Sequence, residues 1–438
     1  MINIHQNVTH ETIEPSDYNV LHDTQYFKND DEKVYIFSTF YGLQSKIREY
    51  SHDVFPDMTH DKTYDTLVTE IIKLIKKAQP SNEFFVKKSN KTYEISKKFM
   101  NIFIRAFLAP KNYDALYKRK CLCSGTYTKC IVFFENDIND DNQNNVTNDK
   151  TKKILKLYYA DNDNNVIFND LKDHKLYDTI NKYDIDDIDN DIDDNDKYII
   201  TSHMHTFINE FLFYFVLKTI MMHINKKYSH DLNIHNYFAY YDRPIVYLRE
   251  DNSLLFGYVM PFYPYTLNTY FSIHNSNVNQ KKKMYNKIME ILKETQKLQK
   301  YGISYLHRDL TLSNIMVTND DELLLIDHGL SMMKISFFCG NISIGDYFDE
   351  INMHNAIDNF DLIFFHCHML YYYNHYRDFC IYDEYDYMLN CRHTIMKIVD
   401  DMSMFDKKKC QKYCNLNSFS IHKHNCDEII NILNTLGS

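Results

Sequence analysis

The segment Tyr305–Ser331, YLHRDLTLSNIMVTNDDELLLIDHGLS, concentrates polar side chains at fixed spacing. His307-Arg308-Asp309-Leu310 comes first, Asn314 follows five residues after Asp309, and Asp327-His328-Gly329 closes the segment. Between them, NIMVTNDDELLLID reads as two short apolar strands around a polar turn, which sets Asp327 at the far end of a hairpin. Two carboxylates and an amide are side chains suited to managing a hydroxyl proton and to holding a small hard cation.

This ordered pattern resembles the catalytic core of the protein kinase superfamily, H-R-D-L-x-x-x-N followed by D-F-G. Any one triplet can arise by chance in a chain rich in Asp and His, but the combination is far harder to produce. The resemblance implies transfer of the ATP γ-phosphate, a reaction in which positioning and charge neutralisation supply most of the catalysis. Asp309 would orient or accept the proton of the attacking hydroxyl. Asn314 and Asp327 would hold Mg²⁺, with Mn²⁺ as an alternative, because that ion needs few protein oxygens beside the phosphates. His328 replaces the family's Phe at a position that packs in the core. Thr311 stands where most serine/threonine kinases carry a Lys on the γ-phosphate, which leaves the substrate class open.

The same resemblance assigns upstream parts. In Cys123-Ser124-Gly125-Thr126-Tyr127-Thr128 only the middle glycine of a phosphate-covering loop is kept, Gly125, which would let backbone approach phosphate closely. The phosphate-binding lysine is expected at Lys156, where charge alternates with the apolar residues of ILKLY; Lys152 and Lys153 precede that run. Its carboxylate partner is expected at Glu210, the single acid in an apolar helical run and one that is costly to bury unpaired. LLFGYVMPFYPY resembles the last strand of the small lobe and the hinge. Met260 would then be the gatekeeper, and backbone groups of Pro261 and Tyr263 would meet adenine, Pro261 through its carbonyl alone. Downstream, Asp361, rather than Asp358, is favoured to tie down the HRD backbone. No A-P-E motif follows, and Ser331, Ser336, Ser343 and Tyr347 are the hydroxyls available near Arg308 for phosphorylation.

The elements that must position these residues follow from periodicity. Thr66–Lys77, Lys91–Leu108, Phe207–Ile224 and Val278–Tyr301 carry helical spacing, and Asn355–Tyr373 is apolar over most of a helix. Residues 121–134, 153–159, 244–250 and 254–260 read as strands. A β-rich stretch followed by a larger helical one predicts an α+β chain. The resemblance sharpens this to a two-lobed kinase-like fold: a helical N-terminal extension over 1–115, a small lobe over 116–263, and a large lobe with the C-terminal tail over 264–438.

The chain has 438 residues, a net charge of −11, 8 Gly, 7 Pro, no Trp and 37 Tyr. Its 44% hydrophobic content is that of a globular chain. The favoured residues have AT-rich codons, and such composition with divergent motifs is similar to kinases of large DNA viruses or AT-rich protists. Residues 136–150 hold 4 acids and 1 base, residues 161–197 hold 13 acids and 4 bases, and the remainder is net +1. The acidity therefore belongs to two low-complexity insertions flanking the strand of Lys156, and nucleic acid is not indicated as a partner. Asp161-Asn-Asp163 starts like a calcium loop, but Val166 and Lys172 stand where Gly and Glu are required. Cys410, Cys414, His422, His424 and Cys426 match no metal-finger spacing, and His366 and His368 lack a third ligand. Ten cysteines are too few for a disulfide scaffold, and neither a signal peptide nor an uncharged 18-residue apolar run is seen. The expectation is a cytoplasmic serine/threonine kinase, in a host cytoplasm or virion if viral, acting on a protein. The alternatives are a pseudokinase scaffold, or a kinase of a small molecule or lipid.

Overall fold

A computed structural model of the chain describes residues 34–56, 58, 60–77, 86–89, 92–108, 123–124, 128–134, 152–158, 196–228, 234–248, 254–274, 278–338, 340–345, 361 and 365. The first helices are α1 (Phe40–Val54) and α2 (Lys62–Lys77), followed by a hairpin of β1 (Val86–Ser89) and β2 (Thr92–Ser96), then α3 (Lys97–Phe107). Thr39 caps α1 by accepting from the Gly42 N–H, and Ser96 caps α3 by accepting from the Phe99 N–H.

Strands β3 (Cys123–Ser124), β4 (Thr128–Phe134) and β5 (Lys152–Tyr158) come next, then β6 (Lys197–Thr201), the long helix α4 (Ser202–Tyr228), β7 (Arg243–Leu248) and β8 (Leu254–Pro261). These make an antiparallel five-stranded sheet in the order β3-β4-β5-β8-β7. Its two faces differ. Ile131, Phe133, Leu155, Leu157, Ile245, Tyr247, Leu255 and Val259 form a small cluster on one, while Ile154, Tyr158, Val246, Phe256, Tyr258 and Met260 join the main core on the other. Period-two alternation along β5 thus sends Lys156 to the face that holds α4.

Helix α4 is apolar all round because it is covered all round. Phe207, Ile208, Phe211, Leu212, Phe213, Phe215 and Val216 are each fully buried. Within it, His203–Lys227 is long and apolar enough to cross a membrane, yet 89% of its apolar window is buried within the fold. Phe55, just beyond α1, stacks on Phe211 and touches Phe107, Tyr214 and Phe215, and Phe103 packs edge-on to Phe207 and Phe211. The first three helices therefore share one core with α4.

The remaining elements are β9 (Tyr265–Thr266), α5 (Leu267–Ile273), α6 (Val278–Lys297), β10 (Ile303–Leu306), β11 (Ile315–Val317), β12 (Leu323–Leu325), β13 (Met332–Phe337) and β14 (Gly340–Gly345). Two small antiparallel sheets, β12-β11-β9 and β10-β13-β14, flank the loop Leu306–Ile315. The chain is a mixed helix-and-sheet fold, as the α+β expectation requires.

Two expectations are corrected in detail. Lys91–Leu108 is not one helix: Thr92–Ser96 is a strand paired in register with Lys197–Thr201, and the helix starts at Lys97. The acidic insertion ends one residue early, because Lys197 opens β6. The expected helix over 355–373, except Asp361 and Phe365, and the Cys/His tail lie outside the described residues.

Candidate active site

Strand β5 presents three lysines, and each finds a different partner. Lys152 lies over the Phe262 ring at 3.7 Å, and Lys153 pairs with Asp242 at 2.7 Å. Lys156 alone points under α4, where its Nζ lies 3.4 Å from Glu210 Oε2 and 3.3 Å from Asp327 Oδ1. Burial alone would lower the Lys156 pKa, but the carboxylates of Asp327 and Glu210 overcome it and hold the ammonium well above the ordinary lysine value. Lys156 is thereby held in its charged form.

Glu210 is fully buried. Besides Lys156, it accepts from the hydroxyl of Tyr158 at Oε2 and from that of Tyr241 at Oε1. One residue earlier on α4, Asn209 donates from Nδ2 to the Gly329 carbonyl at 2.9 Å. Thr206, one helical turn back, packs so closely on Gly329 that a Cβ there would lie 2.5 Å from its methyl group. The glycine of Asp327-His328-Gly329 is thus required by contact with α4 rather than by backbone angle.

The Leu306–Ile315 loop is held by Asp361. Its carboxylate accepts from the His307 N–H at 2.6 Å and the Arg308 N–H at 2.7 Å. Arg308 takes a left-handed backbone at φ 62°, a strained geometry for a non-glycine residue that this clamp stabilises. His307 donates from Nε2 to the Ile326 carbonyl at 2.8 Å, and Asn314 pairs through its backbone oxygen with the Ile326 N–H at 3.0 Å. Asp309 accepts from Asn314 Nδ2 at both its carbonyl (2.8 Å) and its Oδ2 (3.0 Å). The amide nitrogen of Asn314 is thereby committed, and its carbonyl oxygen is the atom left to meet a cation.

Asp327, also left-handed at φ 65°, directly follows Ile326, so the Asn314–Ile326 pairing brings Asn314 and Asp327 to neighbouring strands. Half of the Asp327 carboxylate engages Lys156, and 40% of the side chain is exposed. One carboxylate and one amide oxygen on partly exposed side chains are the kind of donors Mg²⁺ takes, since that ion keeps waters and recruits phosphate oxygens. Among the described residues no group of three or more His, Cys, Asp or Glu side chains gathers to hold a metal, so a tighter protein-only cage is not built there.

Met260, the expected gatekeeper, is buried near the end of β8 opposite Ile154; Pro261, the last residue of β8, pairs with Lys153, and it and Tyr263 are half-buried. Gly125 lies outside the described residues, as does Asp358. Thr311 is buried, with its N–H donating to the Asp309 carbonyl at 2.8 Å. Ser331 is not an available phosphorylation hydroxyl: it is fully buried and donates to the His307 carbonyl at 3.2 Å. Ser336 and Ser343 lie in the β13–β14 hairpin. Reading the sequence missed Tyr158, Tyr241 and Asn209. Tyr158 had a signal, since it stands two residues after Lys156 on the same strand face.

No family model matches the chain, and no curated protein matches it.

Proposed function

We propose that the chain is an ATP-dependent phosphotransferase of the protein kinase type, transferring the γ-phosphate to Ser/Thr hydroxyls of a protein. On this reading the five-stranded sheet with α4 is the small lobe, β8 leads into the hinge at Pro261–Tyr263, and the elements from α5 onward form the large lobe. The single observation that supports it most is Lys156 Nζ between Glu210 and Asp327, at 3.4 and 3.3 Å. Three residues far apart in sequence, each assigned to the site by the motif, meet with both carboxylates within ion-pair distance of the lysine, which supports this reading.

Each residue then has a physical task. Lys156 supplies a fixed positive charge for nucleotide phosphate, and Glu210 keeps it directed. Asp309, oriented by the Asn314 amide, accepts the hydrogen bond of the incoming hydroxyl and orients its oxygen toward phosphorus. Asn314 Oδ1 and Asp327 would hold Mg²⁺, which when bound neutralises charge on the phosphates. Asp361 fixes the loop backbone, so that Asp309 need not be ordered at the moment of reaction. The adenine would sit against Met260 and the backbone of Pro261 and Tyr263.

A second reading, a kinase of a small hydroxyl compound or lipid, is favoured by one observation. After the Asp327-His328-Gly329 turn the chain folds at once into the β13–β14 hairpin, where a peptide-docking segment is expected. The experiment is γ-phosphate transfer to a generic protein substrate with Mg²⁺ or Mn²⁺, for wild type, Asp309→Asn and Lys156→Met. Losses of about a hundredfold or more are expected for both variants. Turnover surviving Asp309→Asn contradicts the assigned roles, and a wild type that binds ATP without transferring phosphate is a scaffold.

A further inference from the structure

We infer that Tyr158 and Tyr241 are positioning residues that hold the Glu210 carboxylate from both sides, so that it stays fixed and keeps Lys156 directed while the ammonium meets nucleotide phosphate. The inference deepens the kinase reading and rests on it.

Glu210 is fully buried, and a buried carboxylate needs donors on both oxygens. Lys156 meets only Oε2, at a separation of 3.4 Å, which is long for a charge-assisted bond. The closer donors are phenols: Tyr158 to the same oxygen and Tyr241 to Oε1. Burial first, and the Glu210 carboxylate second, push both phenols well above the ordinary tyrosine range, so both remain protonated donors.

These phenols are themselves anchored. Tyr158 rides on β5 with Lys156, so strand and lysine move together. Tyr241 arrives from the loop before β7, and its N–H donates to the Tyr214 hydroxyl at 3.0 Å. Its ring stacks on Tyr258 at 4.4 Å and 16°, and Tyr258 donates to the Phe207 carbonyl on α4 at 3.0 Å. Four tyrosines thus connect β5, β8 and the loop before β7 to the one helix that carries Glu210. With two phenol donors on it, the carboxylate keeps its place while the lysine meets both Glu210 and phosphate. Neither hydroxyl contacts Asp327, so their contribution to nucleotide passes through Glu210 and Lys156.

The test is a mutant cycle on the full-length chain: Tyr158→Phe, Tyr241→Phe and the double variant, each in wild-type and Lys156→Met backgrounds. Phe fills the ring volume and removes only the hydroxyl. ATP affinity, kcat, KM for ATP and the thermal midpoint are measured. Each single change is expected to weaken ATP binding by about fivefold and lower kcat by about tenfold with the lysine present. In the Lys156→Met background the change in ATP affinity is expected to be under about twofold. Equal losses in both backgrounds, accompanied by a lowered thermal midpoint, would mean a packing role only and overturn the inference. Unchanged affinity and kcat in the double variant overturn it as well. A wild type that binds ATP but transfers no phosphate defeats the kinase reading alone, because the affinity cycle still reports. A wild type that binds no nucleotide defeats both.

Discussion

His328 shows how one side chain can sit in a core at a cost that depends on pH. It is fully buried, stacked on Phe213 at 5.4 Å and surrounded by Phe238, Tyr305 and His307. Its Nδ1 meets the Ser331 hydroxyl at 3.2 Å, and because that hydroxyl donates to the His307 carbonyl, the His328 ring is the donor. Burial first, then His307 and Lys156, hold its pKa well below the ordinary 6.5. The unfolded chain therefore takes up a proton near that value while the folded chain does not, and stability is lost as pH falls below it. Denaturant midpoints measured without divalent cation should show this. Between about pH 7.5 and 5.5, His328→Phe is expected to lose less stability than wild type. Parallel losses in both proteins would contradict the argument.

Legibility at this scale depended on contrast with the background. Glu210 stood out as the one acid in an apolar run, and Lys156 stood out by alternation. Tyr158 and Tyr241 did not, because in a chain with 37 tyrosines no single one is conspicuous. Tyr241 also comes from an irregular loop, for which no periodicity exists to be read.

At the scale of elements, β5 and β8 approach each other unusually closely beside the lysine. A Cβ on Gly257 would lie 2.3 Å from the Lys156 carbonyl and 2.9 Å from Leu157 Cδ2. The carbonyl is backbone and cannot swing aside. Gly257→Ala is expected to displace β5, costing about 2 kcal/mol or more of stability and weakening ATP binding together with it. Chemical denaturation and nucleotide titration would check this, and an unchanged protein would mean that the sheet can spread there freely. The strand Thr92–Ser96 was misread for an instructive reason. Its partner, Lys197–Thr201, lies beyond the acidic segment, so its pairing is invisible to a local window, while the adjoining helix lends it a helical pattern. Strand order across such a gap is tertiary information.

At the scale of the molecule, the N-terminal segment is woven into the elements downstream of it. The Val34 N–H donates to the Lys300 carbonyl at 2.8 Å and the Ile36 N–H to that of Tyr301 at 3.3 Å, while the Phe338 N–H donates to the Ser38 carbonyl at 3.3 Å. Lys218 on α4 donates to the Val54 carbonyl at the end of α1. Phe55 is fully buried against α3 and α4. A chain starting at residue 116 would expose the apolar side of α4, and is expected to be insoluble or protease-sensitive under conditions in which the full chain is neither. A soluble, nucleotide-binding 116–438 fragment would show that the first helices are dispensable. In the full chain, Phe55→Ala is expected to cost about 3–5 kcal/mol. Sequence pattern marked α2 and the helical part of Lys91–Leu108 but did not single out α1, and it did not show the role of these helices, since the faces they cover are recognisable only once α4 is seen to be apolar on every side.

The position of Lys156 between two carboxylates has a consequence for how a ligand arrives. If these residues form a nucleotide site, Lys156, Glu210, Asp327 and Asp309 present more acidic than basic side chains, so a bare polyphosphate would be repelled and a cation attracted. On the kinase reading, a nucleotide arriving with its cation would exchange charges one for one: Asp327 would meet the metal and the Lys156 ammonium the phosphate, with neither left uncompensated. ADP titrated into the protein in chelator should bind at least about tenfold more weakly than with Mg²⁺, and raised ionic strength should narrow that gap.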